Sequence, residues 1–314
     1  MQRRLERSVL PILYLEDVIV LPAGLVMKGW RLVPESFLWY IPHALAYWQR
    51  YSLYKRLTLR AFPEKLEEAM VIHHPWANNY SHWFADCLPR LLSVERYTSY
   101  PLLLPSNYQR FAWESLKALG VERILPMEPK YFYRVKWLVL PHMPWLDSLV
   151  LFYPQVQFYR ERFLSLWGRS PAGKRIYLSR ARATRRKVLN EEEIRPVLDR
   201  YGFLFLEAER LSLAQQVELF SQAHVLLALH GAGHMNLLWM PPGSHIIEIV
   251  SEAHTTPHPV HFMYANFSRI LGHQHSVFYA ATAEHSKREI FDRADVIVNP
   301  ERLAAFLSEV LNAQ

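Results

Sequence analysis

The chain contains a single cysteine, Cys87, so it cannot close an internal disulfide and offers no cysteine pair for a zinc knuckle. Such a sequence is expected in a reducing cytoplasm. No low-complexity tract and no repeat of about 20 to 50 residues interrupts it, which argues against solenoid or disordered architectures. Long apolar runs are missing too: the stretch after Arg3, Arg4 and Arg7 is broken by Glu16 and Asp17 before it could serve as a signal segment or membrane span. That stretch is expected to be a strand. There is no H-E-x-x-H pair, and Asp292-Arg293-Ala294-Asp295 has the wrong spacing for an Asp-x-Asp metal site. No metal or other cofactor is expected.

What is present is a well-packed composition of 314 residues, 51% hydrophobic, 14% aromatic and 21% charged. That length suits two domains of roughly 150 residues. The formal charge of +7 favours an acidic partner, and seven of the fourteen residues from Lys174 to Lys187 are basic. Charge alone leaves open nucleic acid, an anionic membrane surface, a phosphorylated small molecule and a merely solvated loop.

Alternating strand and helix patterns mark the second half as α/β. Strands are expected at Arg175–Ser179, Phe203–Glu207, Val225–Leu229, His245–Val250 and Ser276–Ala280. Helices are expected from Asn190, with Pro196 breaking the first turn, from Leu213 to about Ala223 behind the Ser212/Gln215 capping box, from His258 to Leu271, and after Asn299-Pro300. The first half reads as mixed, with strands near Ala69–Ile72, Pro101–Leu104, Arg123–Leu125 and Trp137–Leu140. Between them a helix over Asn107–Leu119 stops at Gly120. The linker-like segment Gly168–Gly173 follows a helix-like stretch from Gln155 to Trp167, so domains of 1–168 and 169–314 are expected.

Three clusters carry candidate chemistry. Strand 225–229 runs into His230-Gly231-Ala232-Gly233 and a short helix, which is the recipe for holding phosphate on free backbone amides. A tight structural turn has the same pattern. A helix terminus contributes only about 0.3–2 kcal/mol, whereas micromolar binding needs about 8, so cationic side chains must assist. Arg180, Arg185 and Arg186 follow another strand and fit that need. In the second cluster, Asn79 to Arg90, a helix would align His82, Asp86 and Arg90 on one face. That stripe is either a surface salt-bridge network or an acid/base group, and Cys87 within it is expected to be core. The third cluster, His254, His258 and His261, would suit a metal-dependent hydrolase only if zinc were bound.

These motifs resemble glycosyltransferase family 61. The matching blocks are Asn79-Tyr80-Ser81-His82-Trp83 with Asp86 and Pro89-Arg90; Ile176–Arg180 with Arg186 and Asn190-Glu191; and Ser212 with Gln216, His230–Gly233, Asn236, Pro241–Gly243 and Glu248. The family usually has Leu-Thr where His234-Met235 stand, and a second Arg at Ala181. The resemblance implies a GT-B fold of two facing Rossmann-like domains with a C-terminal helix. It implies an inverting, metal-independent transferase that moves a hexose or pentose from a nucleotide sugar, UDP-linked by expectation, to a glycan or lipid-linked glycan hydroxyl. Surface polysaccharide synthesis in a bacterial cytoplasm, with peripheral contact at the inner membrane face, is the expected setting.

By that resemblance Asp86, or failing it His82, is the base, with Asn79, Tyr80, Trp83 and Arg90 on the acceptor side. Arg180, Arg185, Arg186, His230, Gly231, Ala232, Gly233, His234, Asn236 and Glu248 would hold the donor, Glu248 through its ribose. The rivals are a nucleic-acid-binding protein using residues 174–187, and the histidine-metal hydrolase. For the former, interleaved aromatics are wanted, and the basic run has only Tyr177.

Overall fold

The computed structural model describes residues 11–37, 59–142, 153–254, 262–286 and 294–312. Arg3, Arg4, Arg7, His258, His261, Asp292 and Arg293 lie outside them. The chain divides into two compact units, Met1–Arg162 and Phe163–Gln314, and the division falls inside the helix Tyr153–Trp167, ahead of the Gly168–Gly173 segment.

The first unit is built on a seven-stranded sheet. Its strands are β1 (Ile12–Val20), β2 (Val26–Lys28), β3 (Arg31–Leu32), β4 (Arg60–Met70), β5 (Leu102–Pro105), β6 (Ile124–Met127) and β7 (Tyr131–Pro141), in the order β3-β2-β1-β7-β4-β5-β6. β7, β4, β5 and β6 run parallel, and β1 joins β7 antiparallel with Leu13 opposite Leu140. The alternation of Val18 and Val20 on β1 with Val135, Leu138 and Leu140 on β7 places them in one buried cluster with Ala69, Val71 and Leu103. Chain order reverses between β4 and β7, so the crevice at their carboxyl ends is where a ligand site is expected in an open parallel sheet. The loop behind β1 closes tightly there: Gly24 has φ +80, and a Cβ on it would lie 2.1 Å from the carbonyl oxygen of His73.

The second unit carries β8 (Lys174–Leu178), β9 (Phe203–Leu206), β10 (Ala223–Leu229), β11 (His245–Ser251), β12 (Gln274–Thr282) and β13 (Val296–Ile297), ordered β13-β12-β11-β10-β8-β9. All pairs are parallel except β12 with β13. This is a doubly wound order whose reversal lies between β8 and β10. Near-continuous apolar runs such as Val225–Leu229 suit strands covered on both faces. The helices Glu191–Arg200 and Pro300–Asn312 press Ile194, Val197, Leu198, Leu303 and Leu307 onto Tyr177, Val225 and Leu227. Among the described residues no helix is long and apolar enough to cross a membrane.

Local chemistry accounts for most boundaries. Ser212 accepts from the amide of Gln215 while the Gln215 side chain accepts from the amide of Ser212, and the helix runs Leu213–Phe220. Gly120 sits at φ +77 just past the helix Arg110–Ala118, as a left-handed terminator should. Two expectations fail. The helix Glu191–Arg200 passes straight through Pro196, with three glutamates in its first turn to favour its amino end. Asn190 makes no capping bond, because its amide is engaged with both the N–H and the carbonyl of Val298.

Candidate functional site

In the first unit the chain leaves β4 through Val71, Ile72, His73 and His74, all fully buried. Opposite them lies a helical segment over residues 80–93, opened by Asn79, whose side chain accepts from the amide and hydroxyl of Ser81. Its middle, Trp83–Cys87, is a single π-helical turn, a widening that often accompanies functional sites. That extra winding bears on the expected stripe. His82 and Asp86 do meet: Nδ1 of His82 lies 2.7 Å from Oδ2 of Asp86.

Arg90 takes no part in that contact. It is buried, and its Nε and Nη1 donate to the carbonyls of Pro141 and Ile72, each at 2.7 Å, tying together the carboxyl ends of β7 and β4. Burial pulls its pKa down to about 10, so it stays charged. It braces the crevice from within, tied to the carboxyl ends of two strands. Trp83 is likewise core, donating its indole N–H to Ser115 at 2.8 Å. Tyr80 packs on Phe84 and Phe111, and Cys87 is buried as expected.

The group sequence reasoning missed is His74. Its Nε2 lies 3.4 Å from the same Asp86 oxygen, so a carboxylate only 6% exposed sits between two imidazoles. Burial alone would raise the Asp86 pKa, but the contacts of His74 and His82 outweigh it and hold it at about 2. Burial holds His74 at about 4, hence neutral, against the pull of Asp86. Trp76, also missed, is 39% exposed and lies at 30° to the His82 ring with centroids 6.2 Å apart. Ligand atoms of His74, His82 and Asp86 all lie within 4.8 Å of one another, close enough that these residues could hold a cation. A metal would have to displace the His82–Asp86 hydrogen bond. The rival cluster of His254, His258 and His261 falls outside the described side chains.

In the second unit the crevice lies between the ends of β8 and β10, where Ser179-Arg180 and His230-Gly231 follow. The Arg180 guanidinium is held by backbone: Nε donates to the carbonyl of Arg186 at 2.8 Å and Nη2 to that of Arg185 at 3.4 Å. Arg186 adopts φ +58, a left-handed conformation unusual for arginine, and its own guanidinium turns toward the same point. That point is Gly231. A Cβ there would lie 2.9 Å from Nη1 of Arg180 and 3.7 Å from Nη1 of Arg186.

Gly231 itself is extended at φ 161, so space, not backbone conformation, requires glycine. Burial and the neighbouring Arg186 charge pull Arg180 down to about 10, still a cation. Among the described residues the amides of Gly231, Ala232 and Gly233 donate no hydrogen bond. Two guanidinium groups thus converge on Gly231, beside three amides that donate no hydrogen bond among the described residues, an arrangement that favours an anion.

The other residues expected at the donor, His234, Asn236 and Glu248, are buried around the turn. The amide of His234 donates to the carbonyl of Gly231, and the side chain of Asn236 to that of Gly233, fixing the 3-10 helix Ala232–Trp239 under the turn. Burial holds the His234 imidazole neutral, at about 4. Glu248, expected at a ribose, is 1% exposed; one of its oxygens bonds Nδ1 of His230 and the other lies 3.1 Å from Nε2 of His275. Burial would raise its pKa, yet those two imidazoles keep it well below the ordinary carboxylate range. His275 had no sequence signal. Its place beside Glu248 comes from the pairing of β11 with β12.

Arg185 is exposed, and the rest of the basic run is dispersed: Arg175 donates to the carbonyl of Tyr201 and Arg182 pairs with Glu207 at 3.1 Å. Glu191 anchors the loop from below, accepting from Tyr177 and Ser179 at 2.9 and 2.6 Å. A search of curated proteins finds no match to the chain. A family model described as Glycosyltransferase 61 matches residues 80–247, slightly more than half of the 314 residues, a span that holds His82 and Asp86 of the first cluster and Arg180, Arg186 and His230–Gly233 of the second.

Proposed function

Because the chain belongs to the glycosyltransferase 61 family, and is therefore an enzyme that moves a sugar from a donor to a glycan acceptor, we propose that the second unit grips a nucleotide sugar by its diphosphate. The observation that carries this is the convergence of Arg180 and Arg186 on Gly231 at the β8/β10 crevice. Each charge-assisted bond from such an arginine contributes about 1.5–3 kcal/mol, and two of them with the turn's about 0.3–2 supply a large share of the roughly 8 kcal/mol of micromolar binding. The leaving diphosphate's negative charge is met by guanidinium groups and amides already in place, so this mechanism assigns no role to a metal.

The acceptor hydroxyl attacks the anomeric carbon in one displacement. A new C–O bond forms as the bond to the β-phosphate oxygen breaks. The electron pair leaves on the diphosphate, the configuration inverts, and the hydroxyl proton passes to the His82/Asp86 pair of the first unit. The GT-B arrangement, a UDP-linked hexose or pentose as donor, and surface polysaccharide assembly at the cytoplasmic face of a bacterial membrane belong to this reading through the family resemblance.

The test is a thermal-shift panel of nucleoside diphosphates and nucleotide sugars. A donor at 100 times its dissociation constant stabilises the fold by about 2.7 kcal/mol, and that shift should fall to about 0.4–1.4 kcal/mol in Arg180→Ala at the same concentration. A panel in which no nucleotide stabilises the chain, while generic oligonucleotides do, would overturn the proposal.

A further inference from the structure

Within this transferase reading, on which the inference rests, we propose that Trp76 and His82 form the acceptor-sugar subsite. The apolar C–H face of a pyranose lies on the Trp76 indole, and a hydroxyl at its rim gives its proton to Nε2 of His82. Asp86 and His74 position that imidazole.

The assignment of the proton to His82 follows from hydrogen-bond chemistry. A carboxylate oxygen accepts, so the nitrogen 2.7 Å from Oδ2 of Asp86, Nδ1 of His82, carries the hydrogen. In a neutral imidazole the lone pair then sits on Nε2. The Asp86 carboxylate is enclosed, with its side chain 8% exposed against 28% for His82. A substrate therefore meets the histidine before the carboxylate. This is the logic of a base oriented by a buried acid, reached here without a nucleophile.

His74 completes the support. The backbone N–H of Trp76 points at its Nδ1, 3.4 Å away, leaving the hydrogen on Nε2, which lies 3.4 Å from Oδ2 of Asp86. Asp86 is thus held by one imidazole and holds the other.

Trp76 supplies what a sugar needs beside a base. Its indole is braced edge-on by Phe37 at 5.6 Å and by His74 at 6.2 Å, so its plane is fixed before ligand arrives. It nevertheless remains 39% exposed. Pyranoses bury an apolar face while keeping a polar rim wet, which matches an exposed indole beside a partly exposed imidazole.

The test uses the full chain and methyl glycosides of gluco-, galacto-, manno- and xylopyranose, read by saturation-transfer NMR. Trp76→Ala should weaken the glycoside that binds by about tenfold or more, and Trp76→Phe by less than about threefold. Trp137→Ala, at an exposed tryptophan elsewhere, should change nothing. Nitrogen-15 histidine spectra should show His82 with its hydrogen on Nδ1, and Asp86→Asn should shift that tautomer. With the donor that the nucleotide panel selects, His82→Ala should lose about 100-fold or more in acceptor-dependent diphosphate release and recover part of it with added imidazole.

Equal glycoside binding by Trp76→Ala, no glycoside bound by the native chain, a His82 hydrogen on Nε2, or loss of turnover on adding a chelator would each overturn the proposal. Nucleotide stabilisation is read on every variant. If it persists, only the acceptor subsite has failed; if the native chain lacks it, the transferase reading has.

Discussion

Both units bury a carboxylate between two histidines, yet the two devices face different ways. Asp86 is flanked by His74 and His82, and Glu248 by His230 and His275; in both, burial and imidazole contacts pull in opposite directions and the contacts win. In the first unit one of the histidines reaches solvent beside an exposed tryptophan. In the second both are nearly closed, with side chains 8% and 13% exposed, and the partly open cations are Arg180 and Arg186. On the proposed reading the same buried arrangement aims a proton acceptor in one place and stiffens a phosphate turn in the other. Exposure of the flanking histidine decides which.

That contrast can be broken at three points. Arg180→Ala should weaken nucleoside diphosphate binding by about 10- to 100-fold, as expected for one lost charge-assisted bond. It should leave glycoside binding unchanged. Calorimetry with both ligand classes checks it, and parallel losses would show that the two roles are not separable.

A smaller effect is expected from Glu248→Gln, which keeps the shape but removes the charge that two imidazoles share. Diphosphate affinity should fall by less than about tenfold and stability by about 1–3 kcal/mol, measured by calorimetry and urea unfolding. If instead Glu248 touched the ribose, the affinity loss would appear with nucleosides and without any loss of stability.

A third effect concerns pH. His73, His74 and His234 are buried with folded values near 3, 4 and 4, below the ordinary 6.5. The unfolded chain thus binds more protons than the folded one. Their contribution to stability is complete above about pH 6.5 and is lost as pH falls toward 4, by on the order of 1 kcal/mol per pH unit for each. Two of the three belong to the first unit, so its unfolding should be the more acid-sensitive. Hydrogen exchange at pH 7 and pH 5 would show that, and equal sensitivity of both units would deny it.

What could be read from the sequence was what neighbours in the chain determine. The strand-turn-helix at His230, the Ser212 cap, the Gly120 terminator and the run of strands in the second half all arise from residues a few positions apart. The first unit's site was half legible: His82 and Asp86 share a helical segment, but the π turn between them was not visible in the spacing, and Arg90 turns into the core. His74 and Trp76 gave no signal because their meaning depends on the end of β4 packing against a segment that follows it. Likewise Glu248 and His275 meet only because β11 and β12 pair. The order reversals that locate both crevices depend on pairings such as β4 with β7, which no local pattern encodes.

The central claim is that Gly231 is bare because the Arg180 guanidinium and a diphosphate need its space. Its most direct test is titration calorimetry of the native chain and Gly231→Ala with the nucleoside diphosphate that the thermal panel selects. The backbone at Gly231 is extended, and the nearest atom a Cβ would meet is the far end of the Arg180 side chain, so the variant should fold with unchanged melting behaviour. The account predicts that this folded variant binds the diphosphate at least about tenfold more weakly. Binding equal to that of the native chain would contradict it.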